Sequence, residues 1–394
     1  MQCYLNALGL VSALGNTQTE ALDRLLAGWT EGMQATEAFS PGRPLVCGQV
    51  KVTLPSLQGR PDRMCSRNNA LLLEALRQIR PQVDAAIQRY GKSKVGIVLG
   101  TTTSGIGEAE KAYAALAKEG RFPQGFHYSQ MEIGLPSEFL AAELGLEGPA
   151  YTLSTACSSS SKALASARRH LESGLCDAVV VGGADMLCSF TVAGFSSLEA
   201  ISQERCNPFS AARHGINIGE AATLFLMTRE PGPVRLLGCG ESSDAYNVSA
   251  PEPQGKGAAD AMLMSLRAAG LEPSQIDYLN LHGTGTPHND SMEARAVDRI
   301  LGPAVPCSST KPLTGHTLGT AGALEAAFCW LLLCGNPQGR LAPHVYDGPY
   351  DPSLPPIRLA LRGQELGRPL RNLMSNSFGF GGSNACLVLG RGEG

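Results

Sequence analysis

The chain has 394 residues, 43% hydrophobic and 17% charged, enough apolar material for one large or two similar compact domains and too much for a disordered chain. Its net charge of −3 is spread as both signs along the sequence, so neither nucleic acid nor a membrane surface is the expected partner. Twelve cysteines lie far apart without Cys-x-x-Cys or Cys/His ligand spacing, which argues against a disulfide framework or a metal site and for a reducing, cytoplasmic setting.

Tyr4 to Val11 predicts the first strand, ending in the small-residue turn Ser12 to Thr17, with a helix from Ala21. The stretch MQCYLNALGLVSALG lacks the basic start of a signal peptide, and the longest apolar run, Ala326 to Cys334, is too short to span a bilayer. Residues 31–60 read as loop, with strand pieces within Leu45 to Val52. Arg60, Arg63 and Arg67 cluster just before a helix expected over Asn69 to Gln78, and form the densest basic patch available to an acidic partner. Val95 to Leu99 predicts a buried strand that ends in the turn Gly100 to Gly107. Those glycines resemble a phosphate loop only weakly, because no Lys follows and the spacing fits no dinucleotide fingerprint. Residues 108–150 hold two helical patterns around the loop Phe122 to Tyr128.

Next comes Ser154-Thr155-Ala156-Cys157-Ser158-Ser159-Ser160, where a strand-like run gives way to a helix over Ser161 to Leu171. A thiol at a helix N-terminus is expected to favour its thiolate form, through the first-turn N–H groups and the macrodipole. Ala178 to Val181 predicts a further buried strand, closed by Gly182-Gly183-Ala184-Asp185.

After Arg229-Glu230-Pro231-Gly232-Pro233 the pattern restarts, which divides the chain into halves at 1–230 and 234–394. Val234 to Cys239 matches Tyr4 to Val11, and a helix over Ala258 to Ala269 follows. Tyr278 to Leu281 matches Val95 to Leu99, and Ala385 to Leu389 is read as the counterpart of Ala178 to Val181. A helix entered at His316, apolar almost all round over Leu318 to Leu333, matches the one after Cys157, so the two should lie side by side and bring Cys157 to His316. The expected fold class is therefore α/β with duplicated halves.

Three segments converge on Cys157: Leu281-His282-Gly283-Thr284-Gly285-Thr286-Pro287-His288-Asn289-Asp290; Ser309-Thr310-Lys311-Pro312-Leu313-Thr314-Gly315-His316 with Glu325 beyond it; and the Gly-rich turn Asn376-Ser377-Phe378-Gly379-Phe380-Gly381-Gly382-Ser383-Asn384. With TACSS around Cys157, these motifs resemble the elongating β-ketoacyl-acyl carrier protein synthases of the thiolase superfamily, over essentially the whole length and in family order. The resemblance implies a thiolase fold, a five-layered α-β-α-β-α sandwich of duplicated βαβ halves. It implies that Cys157 holds an acyl chain as a thioester and that His282 and His316 stabilise the enolate formed when malonyl thioester loses CO2. It makes the N–H groups of Cys157 and Phe380 the oxyanion site, with Phe380 as a gate. Lys311 and Glu325 become an ion pair beneath His316, Thr284, Thr286 and Phe378 meet the substrate arm, and Ile106 lines the acyl pocket. It implies no cofactor beyond the phosphopantetheine of the acyl carrier protein, and a homodimer, with a heterodimer with a related ketosynthase-like subunit as the alternative. The stretch 108–150 is the candidate for dimer contact and pocket lining, and Arg60, Arg63 and Arg67 for carrier docking.

His127, His170, His214 and His288 fall outside the matched catalytic positions and are read as surface residues, and Cys386 as core. A thiolase would need a second catalytic cysteine, Cys-His-Asn synthases lack the Thr-Gly-His316 motif, and a non-catalytic chain-length factor would have lost the nucleophile. The serine run Ser158 to Ser161, and Ala-Arg-His-Gly-Ile-Asn within the segment Asn207 to Glu220, depart from the housekeeping pattern. Both look more like synthases of an aryl polyene or other specialised polyketide-type pathway.

Overall fold

A computed structural model describes residues 2–346 and 348–392. The first half runs β1 (Tyr4–Val11), α1 (Gln18–Ala27), the hairpin β2 (Met33–Thr36) and β3 (Leu45–Gly48), α2 (Arg67–Tyr90), β4 (Val95–Gly100), α3 (Ile106–Glu119), α4 (Leu135–Leu144), β5 (Ala150–Leu153), α5 (Ser159–Glu172), β6 (Ala178–Asp185), α6 (Ser189–Ser197) and β7 (Ala221–Thr228). The second runs β8 (Val234–Ser243), α7 (Lys256–Ala269), β9 (Tyr278–Asn280), α8 (Pro287–Leu301), β10 (Pro306–Ser308), α9 (Lys311–Thr314), α10 (Ala321–Cys334), β11 (Arg358–Leu359), β12 (Asn372–Gly379) and β13 (Ser383–Arg391).

The halves share one strand order: β5-β4-β6-β7-β1 in the first and β10-β9-β12-β13-β8 in the second, with β11 added outside β10. Strand directions repeat as well, since β4 lies parallel to β5 and β6, and β9 parallel to β10 and β12, while the remaining pairs within each half are antiparallel. The half-sheets meet edge to edge where Tyr4 and Leu5 pair with Arg235 and Val234. This order corrects one sequence expectation: the counterpart of β6 is β12, and β13 answers to β7. Neither β7 nor β12 was expected as a strand, and the Gly-rich turn is shorter than its motif, because Asn376 to Gly379 complete β12 and only Phe380–Gly382 turn.

Side-chain alternation explains the layering. In β4, Val98 faces the central core while Val95, Ile97 and Leu99 face the core beneath α2 and α4; in β6, Val179 and Val181 point one way and Val180 the other. A third core lies under α7 and α8. The central core encloses α5 and α10 and reaches both half-sheets, so the layers run α2 and α4, a half-sheet, α5 and α10 with α1, the second half-sheet, then α7 and α8. This is the thiolase arrangement.

The two central helices make close contact. A side chain at Gly322 of α10 would put its Cβ 2.0 Å from Ser161 Oγ. The Ser160 hydroxyl accepts from Ala323 N–H at 2.8 Å, and Ser161 bonds Ser377 at 2.8 Å. The serine run is fully buried and ties α5 to α10 and β12. Helix α2 is longer than expected: Ser66 caps it through Asn69 N–H, and it continues through Pro81 to Tyr90.

Candidate active site

Cys157 sits between β5 and α5, one residue before the Ser158 cap. Ala156 takes the left-handed φ of +52°, a strained conformation for a residue with a side chain, which bends the chain sharply at the thiol. Ser159 holds the bend, with its hydroxyl accepting from Thr155 N–H at 2.8 Å and donating to the Ala156 carbonyl at 2.5 Å. Gly379 lies close opposite, where a Cβ would come 3.1 Å from both Cys157 N and the Thr155 carbonyl oxygen, a tight approach.

His316 arrives from the other half. Its N–H donates to the Asn217 carbonyl at 2.6 Å and its own carbonyl accepts from Gly219 N–H at 3.0 Å, which seats the turn between α9 and α10. Its Nε2 lies 3.0 Å from Cys157 Sγ. His282 follows β9 and is held by Glu293, whose carboxylate accepts from His282 N–H at 2.8 Å and Gly283 N–H at 2.6 Å. The His282 ring stands 5.3 Å from the His316 ring and nearly perpendicular to it, and Phe378 packs against its other side.

Lys311 and Glu325 form a buried pair at 2.5 Å. They lie under His282 and not, as expected, under His316: the ammonium donates to the His282 carbonyl and stands 3.5 Å from His282 Nδ1. A cation at Nδ1 keeps that nitrogen unprotonated, so Nε2 carries the ring proton. Among the described residues His316 Nδ1 has no partner, so its tautomer is free to change. Both imidazoles are held well below the ordinary histidine range, by burial first and then by Lys311, and are therefore neutral.

The thiol differs from the sequence expectation. Burial pushes Cys157 up to about 12, opposed by the Lys311 charge and by Phe380 N–H, which hydrogen-bonds the sulfur; Asp185 and Glu325 add to the rise. Desolvation outweighs the helix N-terminus here, and the resting group is a thiol.

A cleft of about 420 Å3 leads to this cluster. Thr284, Thr286, Phe378 and Phe380 line it, and the two threonine hydroxyls bond each other at 2.9 Å. His214 and His288, read as bystanders, line its mouth, together with Gly215 and Ile216. The segment Asn207 to Glu220 thus does meet the cleft. His127 and His170 stay outside it: His127 caps the short turn at Tyr128–Met131, and His170 bonds the Tyr151 hydroxyl at 2.6 Å. Ile106 opens α3 and does not line this cleft.

The arginines of the basic patch each have an acidic partner within the chain. Arg60 forks onto Glu143, Arg63 pairs with Glu138 at 2.7 Å, and Arg67 binds the buried Glu220 at 2.5 Å. Each arginine is neutralised within the chain. Sequence reasoning also missed His344, which is buried and held near 4 by burial; its Nδ1 accepts from Ser309 N–H at 3.1 Å, bracing the segment that carries Lys311. No motif marks it.

The N-terminal domain of the beta-ketoacyl synthase family matches residues 45–231, and the C-terminal domain of the same family matches residues 234–337. The 3-oxoacyl-[acyl-carrier-protein] synthase 2 of Coxiella burnetii is 30% identical over 409 residues, covering 98% of each protein. A Staphylococcus aureus protein of the same name is 30% identical over 344 residues, covering 83% of this chain and 84% of that one. Among solved structures, the complex of ketosynthase ApeO with its chain length factor ApeC from Xenorhabdus doucetiae contains a chain 47% identical, with a TM-score of 0.94 and coverage of 99% and 98%. The ishigamide ketosynthase/chain length factor matches at 25% identity and a TM-score of 0.87, covering 99% of each chain.

Proposed function

The chain belongs to the β-ketoacyl synthase family, and on that premise we propose that Cys157, His282 and His316 carry its reaction. The protein is a 3-oxoacyl-acyl carrier protein synthase, an acyltransferase of fatty acid or polyketide chain elongation. It condenses malonyl-acyl carrier protein, with loss of CO2, onto an acyl group held as a thioester.

The observation that carries the site assignment is the pair His316 Nε2 and Cys157 Sγ at 3.0 Å, with a second, tautomer-fixed imidazole beside it. In the loading step His316 Nε2 takes the thiol proton as sulfur attacks the acyl thioester, and the proton leaves with the carrier thiol. The N–H groups of Cys157 and Phe380 stabilise the tetrahedral oxyanion. Once Cys157 is acylated, His316 and His282 both present Nε2–H to the malonyl thioester oxygen. As CO2 departs, the electron pair of the breaking C–C bond forms the enolate, whose charge these donors hold. The enolate carbon attacks the acyl thioester carbon, the C–S bond breaks, and the released Cys157 thiolate takes up a proton from solvent, since its own left with the carrier thiol. Lys311 and Glu325 act through His282 by fixing its donor nitrogen.

This reading uses no cofactor beyond the phosphopantetheine arm of the carrier. The ligand atoms of Cys157, His282 and His316 lie within 4.8 Å of one another, but the proton that Lys311 keeps on His282 Nε2 occupies the lone pair a metal would need. A thiolase reading would need a second reactive cysteine; Cys386 is buried on β13, accepting from the Ser265 hydroxyl at 3.2 Å. A chain-length-factor reading is disfavoured by the intact Cys157, His282 and His316.

We further propose that the chain pairs with a second ketosynthase-like chain, its own copy or a related subunit, in the cytoplasm. Support comes from the open edge of β5 and from the aromatic cluster of the exposed Tyr113 and Phe122 with the half-buried Phe126 on the 108–150 stretch. No helix of the described residues is long and apolar enough to cross a membrane. An aryl polyene or other specialised polyketide-type pathway stays our proposal for the acyl chain, resting now on His214, Gly215 and Ile216, which line the cleft. Preference for plain saturated acyl carriers, with no turnover of aryl or unsaturated ones, would remove it.

Intact-mass spectrometry with acyl-carrier thioesters tests the assignment. An acyl adduct on Cys157, with CO2 released from malonyl carrier, is expected; an unmodified Cys157 and no CO2 would overturn it.

A further inference from the structure

Asp185 ends β6, is fully buried, and has no part in the reaction described above. Its Oδ1 accepts from Thr102 N–H and Thr103 N–H, both at 2.8 Å, and from the hydroxyls of Thr101 at 3.0 Å, Thr102 at 3.2 Å and Thr103 at 2.7 Å. The turn after β4 that resembled a phosphate loop therefore does cradle an anion, and the anion is the protein's own carboxylate. Oδ2 accepts from Thr320 N–H at 2.9 Å and from its hydroxyl at 3.1 Å.

The two oxygens face different halves of the chain. Thr101 to Thr103 leave β4 in the first half, while Thr320 caps α10 in the second, four residues beyond His316. Gly319 permits the approach, since a Cβ there would lie 3.0 Å from Asp185 Oδ2. Leu318 is held at a left-handed φ of +53°, so this turn keeps an uncommon conformation that its surroundings must enforce. A carboxylate meeting amide N–H groups at a helix N-terminus is a favourable way to enforce it.

We propose that Asp185 is a positioning residue, whose carboxylate ties the turn carrying His316 to the loop behind the nucleophile and so sets the aim of His316 at Cys157. The proposal rests on the reading of Cys157 and His316 as the working pair. Its charge acts on the same site. Of the charged groups that act on the thiol, Lys311 of α9 lowers its proton affinity, while Asp185 of β6 and Glu325 of α10 raise it; His282 and His316 are neutral.

The test is Asp185→Asn in the full chain, which keeps the shape but gives one position an NH2 that cannot accept from N–H. A positioning role predicts that kcat for condensation falls about tenfold or more while KM for malonyl carrier stays within about twofold. It also predicts that the pH profile of Cys157 alkylation by iodoacetamide moves to lower pH, because a like charge has left the thiolate's surroundings. An unchanged kcat, or a lowered kcat with an unmoved alkylation profile, overturns the proposal. If D185N does not fold, Thr320→Val removes one hydroxyl on the His316 side alone; a lowered kcat at constant KM supports the proposal and wild-type kinetics overturn it. Should the wild-type chain itself neither take an acyl group nor release CO2, the functional reading has failed, and this inference with it.

Discussion

The two halves of this molecule share a strand order and have separate chemical tasks. Each leads its chain through a sharp turn into a central helix, but the first half puts a thiol before α5 and the second puts an imidazole before α10. The surroundings differ accordingly. Ahead of the nucleophile, β4 and β5 are separated by α3 and α4, whereas β9 and β10 are separated by α8 alone. The second half instead concentrates buried charge, with Lys311, Glu325 and Glu293 around His282. Duplication supplied two facing turns of equal placement, and divergence made one a nucleophile and the other a set of aimed donors.

Breaking the charged support of the second half should have the largest effect. Lys311→Ala frees the His282 tautomer and leaves Glu325 buried without its cation; we expect roughly a hundredfold loss of malonyl decarboxylation. Losing one partner of a buried pair is expected to cost about 3–5 kcal/mol in denaturant unfolding. An unchanged rate would remove Lys311 from the account. The central helices differ next: α10 is buried all round, whereas α5 turns Arg169 outward. Phe328→Ala should therefore cost about 3–5 kcal/mol, and Leu164→Ala about 2–5 kcal/mol, in the same measurement.

The first half makes its own prediction about pH. With Cys157 held up to about 12 in the resting protein, alkylation should climb steadily above neutral pH, because only the thiolate reacts. A plateau already reached below pH 7 would show that the helix N-terminus outweighs burial after all. The smallest effect belongs to the arginines at the start of α2. Arg63→Ala should change stability by less than about 0.5 kcal/mol, since its pair with Glu138 is exposed. It should leave KM for carrier substrates near that of the wild type.

Much of this site was legible as sequence because its residues sit in glycine-flanked motifs whose spacing is fixed by close backbone approach. Cys157, His282, His316 and Phe380 fall together as the repeat of elements requires. What escaped were contacts made across the fold. Nothing local tells Lys311 to reach His282 and not His316, because the choice depends on how α9 meets the end of β9. The arginines looked like a basic patch because Glu138, Glu143 and Glu220 are distant in the chain. β7 and β12 were passed over because the repeat was traced through element order, and a hairpin partner with a mixed apolar and serine pattern, such as Leu373 to Phe378, reads as loop. The thiolate expectation failed because a helix dipole is local and readable, whereas the depth of burial at Cys157 is a property of the assembled layers.

The central claim is that Cys157 is needed for acyl loading and not for enolate formation, and that His282 is needed for enolate formation and not for acyl loading. Measuring the two steps separately in Cys157→Ala and His282→Ala tests it most directly, with acyl adducts followed by mass and CO2 release from malonyl carrier followed over time. The account predicts that C157A takes no acyl group yet still decarboxylates malonyl carrier, while H282A becomes acylated on Cys157 and releases no CO2. Loss of both steps together in each folded variant would contradict it.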